Sequence, residues 1–311
     1  MSQEQVIVIQ GNVDGVPVRV TGPGTAWRTL AALFRLAKPG IVAAVVVAAL
    51  AGMLVASPML PSAVSLLAVG GIVAMAAAGA AMANVLLEVT RDRQMARLMR
   101  RCRALDRVGA SGVRLVAVGA MVSSIVLAAA FVSLPTALLL GAAIGLYLFP
   151  YTCWLKRTSP FAVLIGGIPG ALPPLIGAAA IGSWSLPALL LSLVIYIWQL
   201  PHFWLLALHY QEEYRQAGVP VLPLVYGKRF TRQLVLATTL LLIPMTLLLP
   251  WLGFTGPATF PGFLVAGILL LACSHWGCGN KKRYRYGFFV SLAYLAVLLA
   301  MVIGDVLLAR V

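Results

Sequence analysis

The sequence predicts an all-α integral membrane protein with nine transmembrane helices. Of its 311 residues, 61% are hydrophobic and only 10% are charged, whereas a soluble protein carries about 25% charged residues. The mean hydropathy is +0.98, and apolar runs long enough to cross roughly 30 Å of hydrocarbon recur along the chain. The expected spans are near residues 40–57, 63–87, 112–133, 135–151, 161–181, 184–207, 232–251, 258–274 and 287–307.

The segment before the first span is expected to lie outside the bilayer. Residues 1–26 lack the basic start and early apolar core of a signal peptide, and Glu4 and Asp14 argue against a mitochondrial transit peptide. The alternation in "VIVIQGNVDGVPVRV" fits a small hairpin, with a flexible tail as the alternative. Residues 27–37 have the pattern of a short interfacial helix. We therefore divide the chain into a cytoplasmic tail, 1–26, and a membrane domain, 27–311.

The distribution of positive charge supports the number of spans and predicts the orientation. The net charge is +15 at pH 7, from 23 lysines and arginines. When nine spans assign the sides, every one of these residues except Arg310 falls on the same side. Positive residues remain on the cytoplasmic side, so we expect a cytoplasmic (inner) membrane protein with its N-terminus in the cytoplasm and its C-terminus outside. The expected partners of this charge are membrane lipids, not nucleic acid.

Polar residues at the end of the second span form the first candidate site. In "NVLLEVTRDRQMARLMRRCR", Asn84, Glu88 and Asp92 are spaced by four residues, which places them on one helical face. They offer the hard oxygen ligands that suit Mg²⁺, which takes one or two carboxylates together with phosphate oxygens and water. The alternative is an interfacial salt-bridge network with the neighbouring arginines.

A second acidic cluster follows the sixth span. In "HYQEEYRQAGVPVLP", Glu212 and Glu213 lie on the same predicted side of the membrane as the first cluster. The alternative is a solvated acidic loop. Two facing carboxylate sets can hold Mg²⁺ around a diphosphate, while nearby arginines and lysines bind the remaining phosphate oxygens. This combination suits the departure of diphosphate from a prenyl diphosphate whose apolar tail lies among the helices.

Longer motifs point to a known family. The blocks "KRTSPFAVLIGGIPGALPPLIG" and "WQLPHFW" fall within residues 148–223. After the second span, the register of an Asn-x-x-x-Asp-x-x-x-Asp pattern followed by Met-x-Arg-Thr is kept, with Glu88 in place of Asp and Leu98 in place of Thr. From about Lys38 to the last span, the chain resembles the UbiA superfamily of intramembrane prenyltransferases, and within it the protoheme IX farnesyltransferase branch.

The resemblance implies a UbiA-like bundle with a central cavity open to the cytoplasmic side. It also implies transfer of a farnesyl group from farnesyl diphosphate to a vinyl group of heme b, which gives heme O for cytochrome oxidase biogenesis. The metal ligands it implies for Mg²⁺ are Asn84, Glu88, Asp92, Glu212 and Glu213. The cationic residues it implies for the leaving diphosphate are Lys156, Arg157, Arg97 and Arg101.

The same resemblance implies that His202 contacts heme, and it makes heme A synthase an expected protein partner. Several alternatives stay open at this point. His202 can instead be a helix-end histidine bonded to a backbone carbonyl, and Lys156 and Arg157 can be positive-inside anchors. The chain can be a prenyltransferase for a quinone precursor or another acceptor, or a non-catalytic heme-binding assembly factor. A transporter is less favoured, because it would place polar residues in broken helices near the middle of the bilayer.

Overall fold

Membrane-spanning helices form the body of the protein. The structure, a computed structural model, describes residues 12–13, 16–17, 23–279 and 281–310. Within these described residues, nine helical segments are long and apolar enough to cross a membrane. They run over Pro39–Ala56, Ala63–Asp92, Ala110–Phe131, Leu134–Thr158, Ala162–Ala180, Leu186–His209, Gly227–Trp251, Thr259–Gly277 and Arg283–Leu308. The predicted all-helical membrane fold with nine spans is confirmed, and the chain is an integral membrane protein.

The segment before the first span is partly described. Strands β1 (Asn12–Val13) and β2 (Val16–Pro17) pair antiparallel, so a minimal hairpin forms in the expected stretch. Most of the remaining predicted tail lies outside the described residues. Helix α1 runs over Pro23–Leu36. It therefore begins before the predicted interfacial helix, and the boundary predicted between residues 26 and 27 falls inside it.

The remaining helices follow in chain order. They are α2 (Pro39–Ala56), α3 (Ala63–Asp92), α4 (Met99–Val108), α5 (Ala110–Phe131), α6 (Leu134–Leu146), α7 (Lys156–Thr158), α8 (Ala162–Ala171), α9 (Pro173–Ala180), α10 (Leu186–His209), α11 (Gln211–Gln216), α12 (Leu222–Val225), α13 (Gly227–Trp251), α14 (Thr259–Gly277) and α15 (Lys281–Leu308). A short 3₁₀ turn, Ala96–Leu98, precedes α4. Serine side chains cap the first turns of α3, α6 and α10.

Two spans depart from regular α-helix. In the fourth, α6 passes into a π-helical segment, Tyr147–Leu155, which contains Pro150. Proline lacks an N–H donor and disrupts the regular helical ladder, and wider turns of this kind are frequent at functional sites. The fifth span is divided at Leu172 into α8 and α9, with two prolines in the first turn of α9.

Two apolar clusters hold the bundle together, and α2 contributes to both. One contains Leu191, Val194 and Leu298 and joins α2 and α10 to the last three spans; the other contains Met53 and Leu140 and joins α2 to α3, α5, α6 and α9. Helices α2 and α9 approach through glycine. A Cβ on Gly177 would lie 1.8 Å from the carbonyl oxygen of Ala49, so only glycine permits this backbone contact.

Candidate active site

The end of α3 carries a row of three buried polar side chains. Asn84, Glu88 and Asp92 are only 2%, 7% and 4% exposed. The predicted spacing of four places them one above another, and Asn84 Nδ2 donates a hydrogen bond to Glu88 Oε2 at 2.8 Å. The row therefore faces the protein interior. Nearby Arg93 pairs with Asp106 outside this row.

Two lysines from other elements complete the row. Lys156, which follows the π-helical segment, places Nζ 2.7 Å from both carboxylate oxygens of Glu88. Lys38, just before α2, donates to Asn84 Oδ1 at 2.6 Å. Burial, together with the positive charges of Arg101 and Lys156, lowers the pKa of Lys38 to about 7. The sequence prediction placed Lys156 here but missed Lys38.

Lys38 occupies its position with an unusual backbone. Its φ of 56° and ψ of 63° are left-handed, a conformation that costs an L-residue about 1–2 kcal/mol. In the described part of the chain, Lys38 is the only non-glycine residue with a positive φ. Such local strain persists where surrounding structure fixes it, often at functional sites. The sequence signal for this residue was a lysine directly before the proline that opens the first span.

Thr152 fixes the orientation of Asn84. This threonine is fully buried in the π-helical segment, where its Oγ1 donates to the carbonyl oxygen of Tyr147 at 2.7 Å and accepts from Asn84 Nδ2 at 3.2 Å. The amide nitrogen of Asn84 is thereby directed to Thr152 and Glu88, and its oxygen to Lys38. Sequence analysis missed Thr152 as well, although Pro150 near the end of a span marked an irregular helix.

The second acidic cluster contacts the loop that follows α3 through Arg97. The backbone N–H of Arg97 donates to Glu213 Oε2 at 3.4 Å, and its Nε lies 3.5 Å from the same oxygen. The guanidinium also lies over the rings of Tyr210 and Tyr214, 4.5 and 5.1 Å from their centroids. Arg101 Nη1 lies 3.9 Å from Asp92 Oδ2. The structure therefore brings the loops after the second and sixth spans together, as the sequence predicted.

Two predicted site residues make contacts other than the predicted ones. Glu212 pairs with Arg215, and its side chain is 54% exposed. Successive residues on a helix point about 100° apart, so Glu212 turns to solvent when Glu213 turns to Arg97. Arg157 Nη2 donates to the carbonyl oxygen of Leu87 at 3.0 Å. It therefore caps a backbone group near the acidic row, and no carboxylate in the described part of the chain pairs with it.

His202 lies in an aromatic setting on α10. It is 8% exposed and stacks with Trp198 and Phe288, at centroid distances of 4.8 and 4.5 Å. Its Nδ1 lies 2.8 Å from Ser291 Oγ, and that hydroxyl donates to the carbonyl oxygen of Phe288 at 2.6 Å. A serine hydroxyl has one proton, so when Ser291 donates it to that carbonyl, Nδ1–H of His202 donates to Ser291 and Nε2 keeps its lone pair. The partner of His202 is a hydroxyl, not the backbone carbonyl of the alternative interpretation.

A cavity joins these elements. It has a volume of about 690 Å³ and lies between α2, α10 and α15, within the roughly 300–1,000 Å³ typical of ligand sites. Trp198, His202 and Phe288 contribute to its largely apolar wall, and Lys38 and Arg101 line its polar part. Since Lys38 also binds Asn84, the cavity lies next to the polar row of α3.

The donor set suits one type of metal binding. Among the described residues, no group of three or more His, Cys, Asp or Glu side chains could hold a metal ion. Mg²⁺ does not need such a cage, because it usually binds one or two carboxylates, several waters and substrate phosphates. Glu88 and Asp92 supply two buried carboxylates and Asn84 an amide oxygen. This set fits Mg²⁺ carried with a phosphorylated substrate.

Comparison with known proteins identifies the family. Residues 45–293 match the UbiA prenyltransferase family. The chain belongs to this family. The family predicted from the sequence motifs is therefore confirmed.

Relatives of this UbiA-family chain share one name. A protein from Geotalea uraniireducens named protoheme IX farnesyltransferase is 41% identical over 75% of this chain and 90% of its own length. One of the same name from Aquifex aeolicus is 36% identical over 87% of this chain and 93% of its own. A third, from Photobacterium profundum, is 34% identical over 94% and 92%.

Solved structures show the same fold at low identity. A digeranylgeranylglyceryl phosphate synthase matches with a TM-score of 0.74 and 17% identity, over 89% of this chain and 98% of that one. A UbiA homologue from Archaeoglobus fulgidus bound to GPP and Mg²⁺ matches with a TM-score of 0.65 and 14% identity, over 87% and 99%. The bundle described here is thus the UbiA fold.

Proposed function

We propose that this chain transfers a farnesyl group from farnesyl diphosphate to a vinyl group of heme b, giving heme O. The names of its relatives over most of the chain support this reaction. The observation that carries the proposal is the cavity. Its apolar wall contains His202, and Lys38, at its polar part, contacts the buried row that begins at Asn84. Such a site suits an anionic diphosphate at its polar part and apolar groups along its wall.

The polar row and its cations would bind the diphosphate. Lys38, Lys156, Arg97 and Arg101 supply positive charge, and the guanidinium groups can bind phosphate oxygens in a bidentate manner. Mg²⁺, when bound with the diphosphate, would neutralise the charge that develops on the leaving group. The residues proposed to hold it are Asn84, Glu88, Asp92 and Glu213. Glu212 is left out of the metal set because it pairs with Arg215, and Arg157 is left out of the cationic set because it donates to the carbonyl oxygen of Leu87.

The reaction then requires an apolar space beside the cations. The bond between C1 of the farnesyl group and the diphosphate oxygen breaks, and both electrons leave with the diphosphate. A terminal vinyl carbon of heme bonds to C1, and the cation left on the adjacent carbon takes up water and loses a proton. Apolar side chains of the cavity wall limit early access of water to the allylic cation.

His202 is proposed to position heme in this cavity. Its Nε2 is the unprotonated nitrogen, which is the form of imidazole that binds iron. The hydrogen bond from Nδ1 to Ser291 supports that assignment, since the second nitrogen of an iron-binding histidine is usually held by such a partner.

The proposed function also implies an orientation of the chain in the membrane. We infer that the N-terminus is cytoplasmic, because Lys and Arg concentrate on the side that carries the loop after α3. The diphosphate site would then open to the cytoplasm, where water solvates the charged end of farnesyl diphosphate. Residues 27–311 would act as one membrane prenyltransferase unit, and heme A synthase as recipient of heme O stays a prediction.

The test of the function compares acceptors directly. Membranes containing the chain are incubated with farnesyl diphosphate, Mg²⁺ and either heme b or a hydroxybenzoate-type quinone precursor, and the products are identified by chromatography and mass spectrometry. We expect heme O from heme b and no prenylated quinone precursor. If the quinone precursor is prenylated and no heme O forms, the acceptor is the quinone precursor and not heme b. If a folded chain forms neither product, the enzymatic function is contradicted.

A further inference from the structure

A second cavity lies between α1 and α4, outside the polar row. It has a volume of about 290 Å³. Three alanines, Ala31, Ala32 and Ala104, leave the space open because their side chains are small. The rest of its lining, which we call the arginine groove, consists of Arg35, Arg100, Arg103 and Arg107. Among the described residues that line this groove, none carries a negative charge.

Helix periodicity brings these arginines together. Arg100, Arg103 and Arg107 are three and four residues apart on α4, so they share one face. Arg35 lies in the last turn of α1, across the groove. The opposite side of α4 is fixed by burial of Leu105 and its neighbours against α1, α3 and α5. The four cations are therefore held on two packed helices.

Their charges lack partners within the described part of the chain. Other arginines of the same loop are paired: Arg93 with Asp106, and Arg97 with Glu213. Among the described residues, no ion pair or side-chain hydrogen bond joins the guanidinium group of a groove arginine to another residue. Four neighbouring guanidinium groups repel one another, and an anion in the groove relieves that repulsion. Guanidinium is the side-chain group best suited to phosphate, which it binds in a bidentate manner.

The adjoining surface of α1 indicates where such an anion comes from. Trp27, Leu30 and Phe34 are 72%, 57% and 66% exposed, and their spacing of three and four puts them on one face of the helix. A helix with aromatic and aliphatic residues on one face and basic residues beside them lies at the membrane interface. Arg35 follows Phe34 directly, which puts one arginine of the groove next to this apolar face.

We propose that the arginine groove binds the phosphate of an anionic membrane lipid. This binding is separate from prenyl transfer and requires neither farnesyl diphosphate nor heme. Free diphosphate shares the same phosphate chemistry, and the exposed apolar face of α1 favours the lipid as its source. The bound lipid would fix α1 against α4 beside the mouth of the larger cavity, which Arg35 and Arg100 also line.

The test uses the purified full-length chain and two charge-matched variants. R103Q/R107Q removes two arginines that line only the groove among the described cavities. K228Q/R229Q removes the same charge at the exposed start of α13. Each protein is equilibrated with vesicles of equal parts phosphatidylglycerol and phosphatidylcholine, and native mass spectrometry counts the lipid retained. A parallel arm adds excess inorganic diphosphate in phosphatidylcholine alone.

The unaltered chain should retain phosphatidylglycerol over phosphatidylcholine, and K228Q/R229Q should do the same. R103Q/R107Q should lose about tenfold or more of that preference, since each basic residue near an anionic lipid contributes roughly 1 kcal/mol. The single variant R107Q should show a smaller loss, and thermal unfolding in detergent checks that each variant is folded. Equal retention by all proteins, or an equal loss in both double variants, would overturn the proposal. Binding of diphosphate without any lipid preference would overturn the lipid as the source.

Discussion

Replacement of Glu88 by glutamine tests the polar row at its centre. Glu88 is 7% exposed, and its two oxygens accept from Lys156 at 2.7 Å and from Asn84 at 2.8 Å. Glutamine keeps the size of the side chain and removes its charge. The ammonium of Lys156 then loses its ion-pair partner, and the proposed magnesium set loses one of its carboxylates.

The structure sets the expected size of the effect. Removing one partner of a fully buried ion pair costs about 3–5 kcal/mol, but the side chain of Lys156 is 26% exposed, so solvent screening reduces the loss of stability to about 1–3 kcal/mol. Loss of a group that holds or orients a metal ligand typically lowers affinity or activity about 10–100-fold. We therefore expect E88Q to remain folded while its Mg²⁺ requirement rises by about that factor.

The assay measures initial rates of heme O formation while Mg²⁺ is varied at saturating farnesyl diphosphate. D106N is the matched control, because Asp106 lies in the same loop but is half exposed and pairs only with Arg93 among the described residues. The control should keep the Mg²⁺ dependence of the unaltered chain. An E88Q protein with full activity and an unchanged Mg²⁺ curve would refute the role of Glu88 in the metal site and leave it as an anchor for Lys156.

Three further changes test the neighbours of the row. T152V should lower the unfolding free energy by about 1–3 kcal/mol in a denaturant titration, because it leaves the buried amide of Asn84 with one fewer partner; unaltered stability would contradict that network. E213Q should lower kcat/KM for farnesyl diphosphate about tenfold, whereas E212Q should change it less than about threefold, since exposed ion pairs contribute roughly 0–1 kcal/mol; equal losses would put both carboxylates in the site. H202A should weaken heme b binding about tenfold or more in a Soret titration, and unchanged affinity would remove His202 from the heme site.

The fold could be predicted because the bilayer allows few alternatives. Backbone groups in hydrocarbon must be satisfied within each segment, so long apolar runs become helices. The irregular elements were harder to foresee. Pro150 gave a hint of the π-helical segment, but not of the hydrogen bond that Thr152 makes to the carbonyl of Tyr147 within it. The break at Leu172 is simpler, because the two prolines that follow it are visible in the sequence.

Helix spacing predicted the local part of the candidate site, whereas two of its long-range contacts were missed. Spacing of four residues sufficed to align Asn84 and Glu88, since both lie on one helix. Lys38 and Thr152 lie 46 and 68 residues from Asn84, and no periodicity in the sequence encodes such contacts. Glu212 and Glu213 were both predicted as ligands, with Glu212 in support, and the docking of Arg97 on Glu213 distinguishes them in the structure.

One site is proposed to bind farnesyl diphosphate and heme b together. The ratio of released diphosphate to heme O tests that proposal most directly. Purified chain in phospholipid vesicles is supplied with Mg²⁺, farnesyl diphosphate and heme b, and released diphosphate and heme O are measured together. We expect one diphosphate for each heme O, with release of diphosphate falling to background when heme b is omitted. Diphosphate released at the same rate without heme b, or in the absence of heme O, would contradict it.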